Sequence, residues 1–266
     1  VRTPRILIIA GSDSGGGAGI QGDIKTVTCI GGYAASAITA LTAQNTRGVF
    51  GIHEVPPEFI KQQISLVLED IGVDAIKTGM LHSAQVIDAV VESLKSYPTI
   101  PLIVDPVMVA KGGAPLLQLD ALTRLKQKLI PLATLITPNI PEAELLSGMK
   151  IDNVNDMETV GKALLGLGCK AVLMKGGHMQ GDRLTDLLIN KDTVTPFYGE
   201  RIHTTSTHGT GCTLASAIAT GIGKGLSLEE AVRQARNYVT LAIKTALNIG
   251  SGHGPLNHGH TVRIQN

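Results

Sequence analysis

Tryptophan is absent from this 266-residue chain, and phenylalanine and tyrosine number only three and four. So little aromatic surface leaves few platforms on which successive bases of a single strand could stack. Charge of one sign is equally scarce: the formal net charge is +1 and no run of five like charges occurs, which argues against a nucleic-acid footprint and against an acidic tail. The expected partners are small molecules. Cys29, Cys169 and Cys212 are odd in number and widely scattered, so neither a disulfide framework nor a zinc site of CxxC pairs is expected. A reducing cytoplasm suits them. No apolar run approaches ~18 residues, and only five apolar residues precede Gly11 after Arg5, too few for a membrane span or a signal peptide. GxxxxGK[ST] is missing as well, which removes the P-loop as a cradle for nucleotide phosphates.

What is present is apolar and periodic. Hydrophobic residues make up 43% of the chain and charged ones 17%, enough for one large core, and no break divides residues 1–266 into two domains. Residues 250–266, rich in glycine and histidine, read as a less ordered tail. Short β-branched runs at 5–10, 34–41, 75–78, 102–104, 134–136 and 171–174 alternate with helical stretches at 57–69, 83–96, 119–129 and 154–167. This is the pattern of a mainly parallel sheet wrapped by helices. Residues 184–197 read instead as two strands about Asn190-Lys191-Asp192, an antiparallel hairpin on one edge. Helices at 210–224 and 228–248 close the chain.

Ligands of such sheets sit beyond the carboxyl ends of the strands, so the residues just after each run carry the functional argument. The strongest is Gly209-Thr210-Gly211-Cys212, a glycine-rich bend opening an apolar helix. Free N–H groups and a helix dipole meet there and can stabilise negative charge as it builds on a phosphoryl group. Asp105 ends a strand and is pinned by Pro106. Asn139 and Glu142 flank Pro141, with Asn139 or Ile140 as the helix cap. Asp105 and Glu142 together could hold the water shell of Mg²⁺, with phosphate oxygens as the remaining ligands. Lys175 adds a positive charge at a third strand end, beside Gly176-Gly177. Gln44 and Asn45 offer amide donors and acceptors suited to a heterocycle, and Met80, Val107 and Ala18 could supply its apolar walls. Gly17-Ala18-Gly19-Ile20-Gln21-Gly22 matches GxGxxG but follows its strand too distantly for a dinucleotide fingerprint. It reads better as a backbone surface closing on a ligand, with Asp23 near it on the first helical turn.

In combination these residues resemble the hydroxymethylpyrimidine kinase / phosphomethylpyrimidine kinase branch of the ribokinase superfamily. The resemblance runs from Gly11-Ser12-Asp13-Ser14-Gly15-Gly16-Gly17-Ala18-Gly19 through Thr42-Ala43-Gln44-Asn45, Lys77-Thr78-Gly79-Met80 and Asp105-Pro106-Val107 to His208-Gly209-Thr210-Gly211-Cys212. It implies a three-layer α/β/α fold, ATP with Mg²⁺, a homodimer, and stepwise phosphorylation of 4-amino-5-hydroxymethyl-2-methylpyrimidine to its diphosphate. It further implies that Gln44 binds the ring, the Gly11 loop lies over the substrate, Asp105, Asn139 and Glu142 serve metal and nucleotide phosphates, Lys175 contacts phosphate, and Gly209 to Cys212 form the anion hole. The wider superfamily ends this motif in Asp, whereas here it ends in Cys212. A thiol at a helix start is expected to have a lowered pKa and to accept or orient the substrate's hydroxyl proton. Three rivals stay open: a pyridoxal or pyridoxine kinase, a cysteine hydrolase with Cys212 as nucleophile and His208 as base, and a binding protein without turnover.

Overall fold

A computed structural model describes residues 2–262 apart from 111, 112, 114 and 180. The tail's last four residues, and Lys111, Gly112 and Ala114 of a glycine stretch weighed as a lid, lie outside the described residues. Nine strands form one sheet in the order β3-β2-β1-β4-β5-β6-β7-β8-β9. They are β1 (Arg5–Asp13), β2 (Tyr33–Asn45), β3 (Gly48–Glu54), β4 (Ala75–Thr78), β5 (Leu102–Val104), β6 (Leu135–Ile136), β7 (Ala171–Met174), β8 (Arg183–Asn190) and β9 (Val194–Glu200). The six strands from β2 to β7 pair in parallel. Antiparallel partners close both edges, β3 on β2 and the β8–β9 hairpin on β7.

β1 shows why the sheet is buried on both faces. Alternate side chains point to opposite faces of a strand, and here both sets are apolar. Ile6, Ile8 and Ala10 join a core with α1 (Gly19–Cys29), α7 (Thr210–Gly223) and α8 (Leu228–Lys244). Leu7 and Ile9 join a second core under α2 (Pro57–Leu66), α3 (Ala84–Leu94), α4 (Leu119–Arg124), α5 (Ile140–Ser147) and α6 (Val154–Leu165). Each such side chain, buried completely, stabilises the layers by about 1.5–3 kcal/mol. The expected three-layer α/β/α fold is the one observed. No helix among the described residues is long and apolar enough to cross a membrane.

The chain departs from the sequence expectation at the first edge. β2 runs on to Asn45 and turns into β3, a strand the reading passed over. Exposed Leu41, Phe50 and Tyr33 interrupt the inward/outward alternation that would have marked the pair. Two expected helices also end in a π turn, at Val67–Ile71 and Leu125–Leu129. The tail folds back: His258–Thr261 form a 3₁₀ turn, and the Tyr238 hydroxyl donates to the His258 carbonyl at 2.6 Å. Because β2 lies on one side of β1 and β4 on the other, the connections diverge at β1. Such a switch point opens a crevice at the carboxyl ends of the strands.

Candidate active site

Helix α7 begins without a side-chain cap. Its N-cap is Gly209, at φ 85° and ψ 5°, a left-handed conformation that glycine reaches at little cost. A Cβ there would collide with the Gly17 carbonyl, so the loop after β1 rests directly on the start of the helix. A Cβ on Gly211 would lie 3.3 Å from Lys175 Nζ and 3.6 Å from Asp105 Oδ2. The uncapped helix start, with its partial positive charge, thus faces a lysine and a carboxylate across a gap that only glycine leaves open.

Asp105 is almost wholly buried. Its Oδ1 accepts from Thr137 Oγ1 at 2.9 Å and from Lys175 Nζ at 3.1 Å. Burial opposes its charge, yet Lys175 and then Lys77 outweigh that and hold the carboxyl below its ordinary range. Asn139 caps α5, and the alternative cap Ile140 is the first helical residue. Asn139 and Glu142 form a reciprocal capping box, Asn139 N–H to Glu142 Oε2 at 2.8 Å and Glu142 N–H to Asn139 Oδ1 at 2.9 Å. Desolvation pushes the Glu142 carboxyl up to about 7, with Lys175 countering and Asp105 adding to the rise. Lys175 Nζ stands 3.9 Å from Glu142 Oε2. Two carboxylates with one ammonium between them suit a hard, oxygen-seeking cation that completes its shell with water and phosphate. Among the described residues no set of three His, Cys, Asp or Glu could hold a metal alone.

The loop after β7 is fixed from outside. Asp186 accepts from Gly176 N–H at 2.8 Å and from Arg236 Nε at 2.8 Å, and Arg201 reaches the carbonyls of Gly177, Met179 and Gly181. Neither Asp186 nor the two arginines were singled out from the sequence.

Across the crevice, Gly11 abuts Met80, whose Sδ would be 3.1 Å from a Gly11 Cβ. Met80 is buried, and Ala18, Gln44 and Val107 are partly exposed around the crevice. Asp23 stands apart from the expectation. Its carboxylate is fully buried, 2.8 Å from Lys77 Nζ, and accepts from Ser216 Oγ at 2.7 Å. Both oxygens are engaged beneath the crevice, so Asp23 holds α1, β4 and α7 together and does not line the substrate space. Lys77 was quoted only as part of a motif and given no role; a lysine in the fully buried strand Ala75–Thr78 was the signal, since a buried ammonium needs a partner. Burial opposes its charge, but Asp23 holds the ammonium above its ordinary value.

The thiol also departs from expectation. Desolvation pushes Cys212 up to about 12, although Lys77 lowers it, so burial outweighs the helix terminus and a standing thiolate is not available. His208, the base of the hydrolase rival, directs Nε2 to Asp13 Oδ2 at 2.7 Å. That carboxylate also accepts the N–H groups of Gly15, Gly17 and Ala18. Burial would raise Asp13, but the His208 and backbone hydrogen bonds hold it below the usual carboxylate range.

This geometry has relatives. Residues 13–257 match the model of the phosphomethylpyrimidine kinase family. The chain belongs to that family. It is 52% identical over 253 residues to the thiamine biosynthesis bifunctional protein ThiED of Geobacter sulfurreducens, covering 95% of this chain and 52% of that one. The chain therefore spans about half the length of that relative. It is 48% identical to the hydroxymethylpyrimidine/phosphomethylpyrimidine kinase of Bacillus subtilis, covering 96% and 94% of the two chains. A pyridoxal kinase of Staphylococcus aureus, solved in complex with AMP-PCP and pyridoxal, superposes with a TM-score of 0.90 at 31% identity over 100% of this chain and 97% of that one. Family and fold agree with the resemblance in the sequence.

Proposed function

We propose that this phosphomethylpyrimidine kinase family member transfers the γ-phosphoryl group of ATP to the hydroxymethyl oxygen of 4-amino-5-hydroxymethyl-2-methylpyrimidine, and a second phosphoryl group to the resulting monophosphate. The observation that carries the reading is the gap at Gly211, bounded by the uncapped helix start, Lys175 and Asp105. A phosphoryl group in flight spreads negative charge over its equatorial oxygens, and preorganised N–H donors with one ammonium oppose that charge.

In the proposed step the substrate oxygen attacks phosphorus as the bond to the β–γ bridging oxygen breaks, and ADP leaves with that electron pair. N–H groups of Gly209 to Cys212 and the Lys175 ammonium stabilise the transferring oxygens. Cys212, a neutral thiol, orients the hydroxyl, and the alcohol's proton passes to an oxygen of the transferred phosphoryl group as the new bond to phosphorus forms. Asp105 and Glu142 would hold Mg²⁺ through water; when bound, the ion supplies charge neutralisation between the β- and γ-phosphates. Asn139 fixes Glu142 through the capping box. Gln44 would read the ring, with Met80, Val107 and Ala18 as walls and the Gly11 loop over it.

The second reading is a pyridoxal kinase, favoured by the TM-score of 0.90. Identities of 48% and 52% to proteins of thiamine biosynthesis weigh the other way. Coupled ADP release with hydroxymethylpyrimidine, its monophosphate and pyridoxine side by side decides: turnover of the two pyrimidines is expected, and turnover of pyridoxine alone overturns the proposal. We further propose a cytoplasmic homodimer. The apolar residues exposed along β2 and β3, Leu41 and Phe50, support association, and sedimentation tests it.

A further inference from the structure

Gln44 is the group proposed to read the pyrimidine ring, and the inference rests on that reading. A side-chain amide can turn end for end without changing its shape, so something must decide which end meets the substrate. Gln44 Oε1 stands 3.1 Å from Thr42 Oγ1 and Gln44 Nε2 3.4 Å from His208 Nε2, but the two ends occupy the same space when the amide is turned, and the protons favour the turned form. Counting protons settles the orientation. Thr42 has one hydroxyl proton, and its Oγ1 lies 2.8 Å from the Ser12 carbonyl, which can only accept. Toward Gln44 the hydroxyl must therefore accept, and the amide end facing it is the NH₂. His208 Nε2 lies 2.7 Å from an Asp13 carboxylate oxygen, so that nitrogen carries a proton. The amide end facing it is the carbonyl oxygen, which shares the proton with Asp13.

We infer that Asp13 and His208 are a positioning pair that, with Thr42, fixes the Gln44 amide and makes His208 a determinant of ring specificity. The pair is itself held rigidly. Asp13 is locked by three backbone N–H groups of its own loop, and the His208 N–H donates to the Gly254 carbonyl at 3.0 Å. A Cβ on Gly17 would lie 2.6 Å from His208 Cδ2, so that glycine admits the imidazole against the loop. One carbonyl lone pair and one N–H of Gln44 stay free. Together they match a ring edge that offers an amino donor beside a nitrogen acceptor. A 4-oxo ring, with its acceptor oxygen beside a ring N–H, needs the amide reversed, which would set the NH₂ against the His208 N–H.

The test is the ratio of kcat/KM for the 4-amino pyrimidine over its 4-oxo analogue. His208→Leu should lower the ratio about tenfold, the scale of one net hydrogen bond, and mainly through KM. His208→Gln, which keeps an N–H at similar reach, should restore it. In a Gln44→Ala background the leucine substitution should leave the ratio unmoved. Thr42→Val removes the acceptor for the other end of the amide and should lower the ratio likewise, which keeps the test decisive if His208→Leu melts early. A ratio indifferent to His208→Leu and Thr42→Val, or lowered equally without Gln44, overturns the inference. Indifference to Gln44→Ala alone overturns the ring-contact reading beneath it, and the inference with it.

Discussion

Replacing Cys212 separates two jobs that a thiol at an anion hole could perform. A group titrating near 12 is ionised in roughly one molecule in 10⁵ at pH 7, so presenting a thiolate to the incoming alcohol would cost about 7 kcal/mol. Desolvation therefore works against a thiolate standing ready before the reaction. What remains is a neutral thiol that holds the hydroxyl in place, while the hydroxyl's proton passes to an oxygen of the transferred phosphoryl group. A general base would be worth about 10²–10⁴ in rate, whereas a lost orienting hydrogen bond costs roughly tenfold. The second acceptor is a phosphate that is already ionised and needs no base. Cys212→Ala is thus expected to slow phosphorylation of the alcohol by about tenfold and that of the monophosphate by less, measured as ADP release with each acceptor at saturating ATP. Iodoacetamide should scarcely label Cys212 at pH 7, by peptide mass spectrometry. Equal losses in both steps, a loss of about 10² or more with the alcohol, or rapid labelling at neutral pH would refute the reasoning.

Lys77→Met should destabilise the fold by about 3–5 kcal/mol in denaturant melting, because Asp23 is left charged and buried; Asp23→Leu/Lys77→Met should recover much of that, and a double variant no more stable than the single contradicts it. Gly209→Ala adds left-handed strain to a collision with the Gly17 carbonyl and should lower both melting temperature and ADP release, the latter by about 10², since loss of a single anion-hole donor costs about 3 kcal/mol. Asp186→Ala frees the Gly176 N–H and should raise KM for ATP about tenfold with KM for the pyrimidine little changed; equal rises in both argue for general loosening. Asp13 titrates below its ordinary value of 3.8, so its contribution is fully present above that pH and lost as acid passes through the lower folded value. The denaturant midpoint should fall below about pH 4, and Asp13→Asn should flatten that limb.

The strands that were legible carry apolar runs on both faces, as β1 does with Ile6 to Ala10, and the helices between them have the period of one buried stripe. β3 was not legible because its pattern depends on what lies beside the sheet edge. Residues that lie after strands, Asp105, Glu142, Lys175 and Gly211, were found by place and type, and folding brings them to one gap. Asp23 misled because sequence distance from a glycine loop does not reveal which way a helix turns its side chains. Cys212 misled for a related reason: a helix terminus can be read from glycine and polarity, but the desolvation that opposes it depends on neighbours that other elements bring, Asp23, Lys77 and Asp105 among them. His208, Asp13 and Lys77 act through partners 195 and 54 residues away, and such pairing has no local signature.

The buried pair of Asp23 and Lys77, tied to Ser216, also limits how this sequence can drift. Either charge replaced alone leaves the other stranded in a place that water does not reach, so single steps are closed even though the pair touches no substrate. Routes away from it pass through joint replacement or through a swap that keeps one charge of each sign. Positions 23 and 77 are therefore expected to change in step among descendants of this chain, an inheritance constraint set by solvation and independent of catalysis.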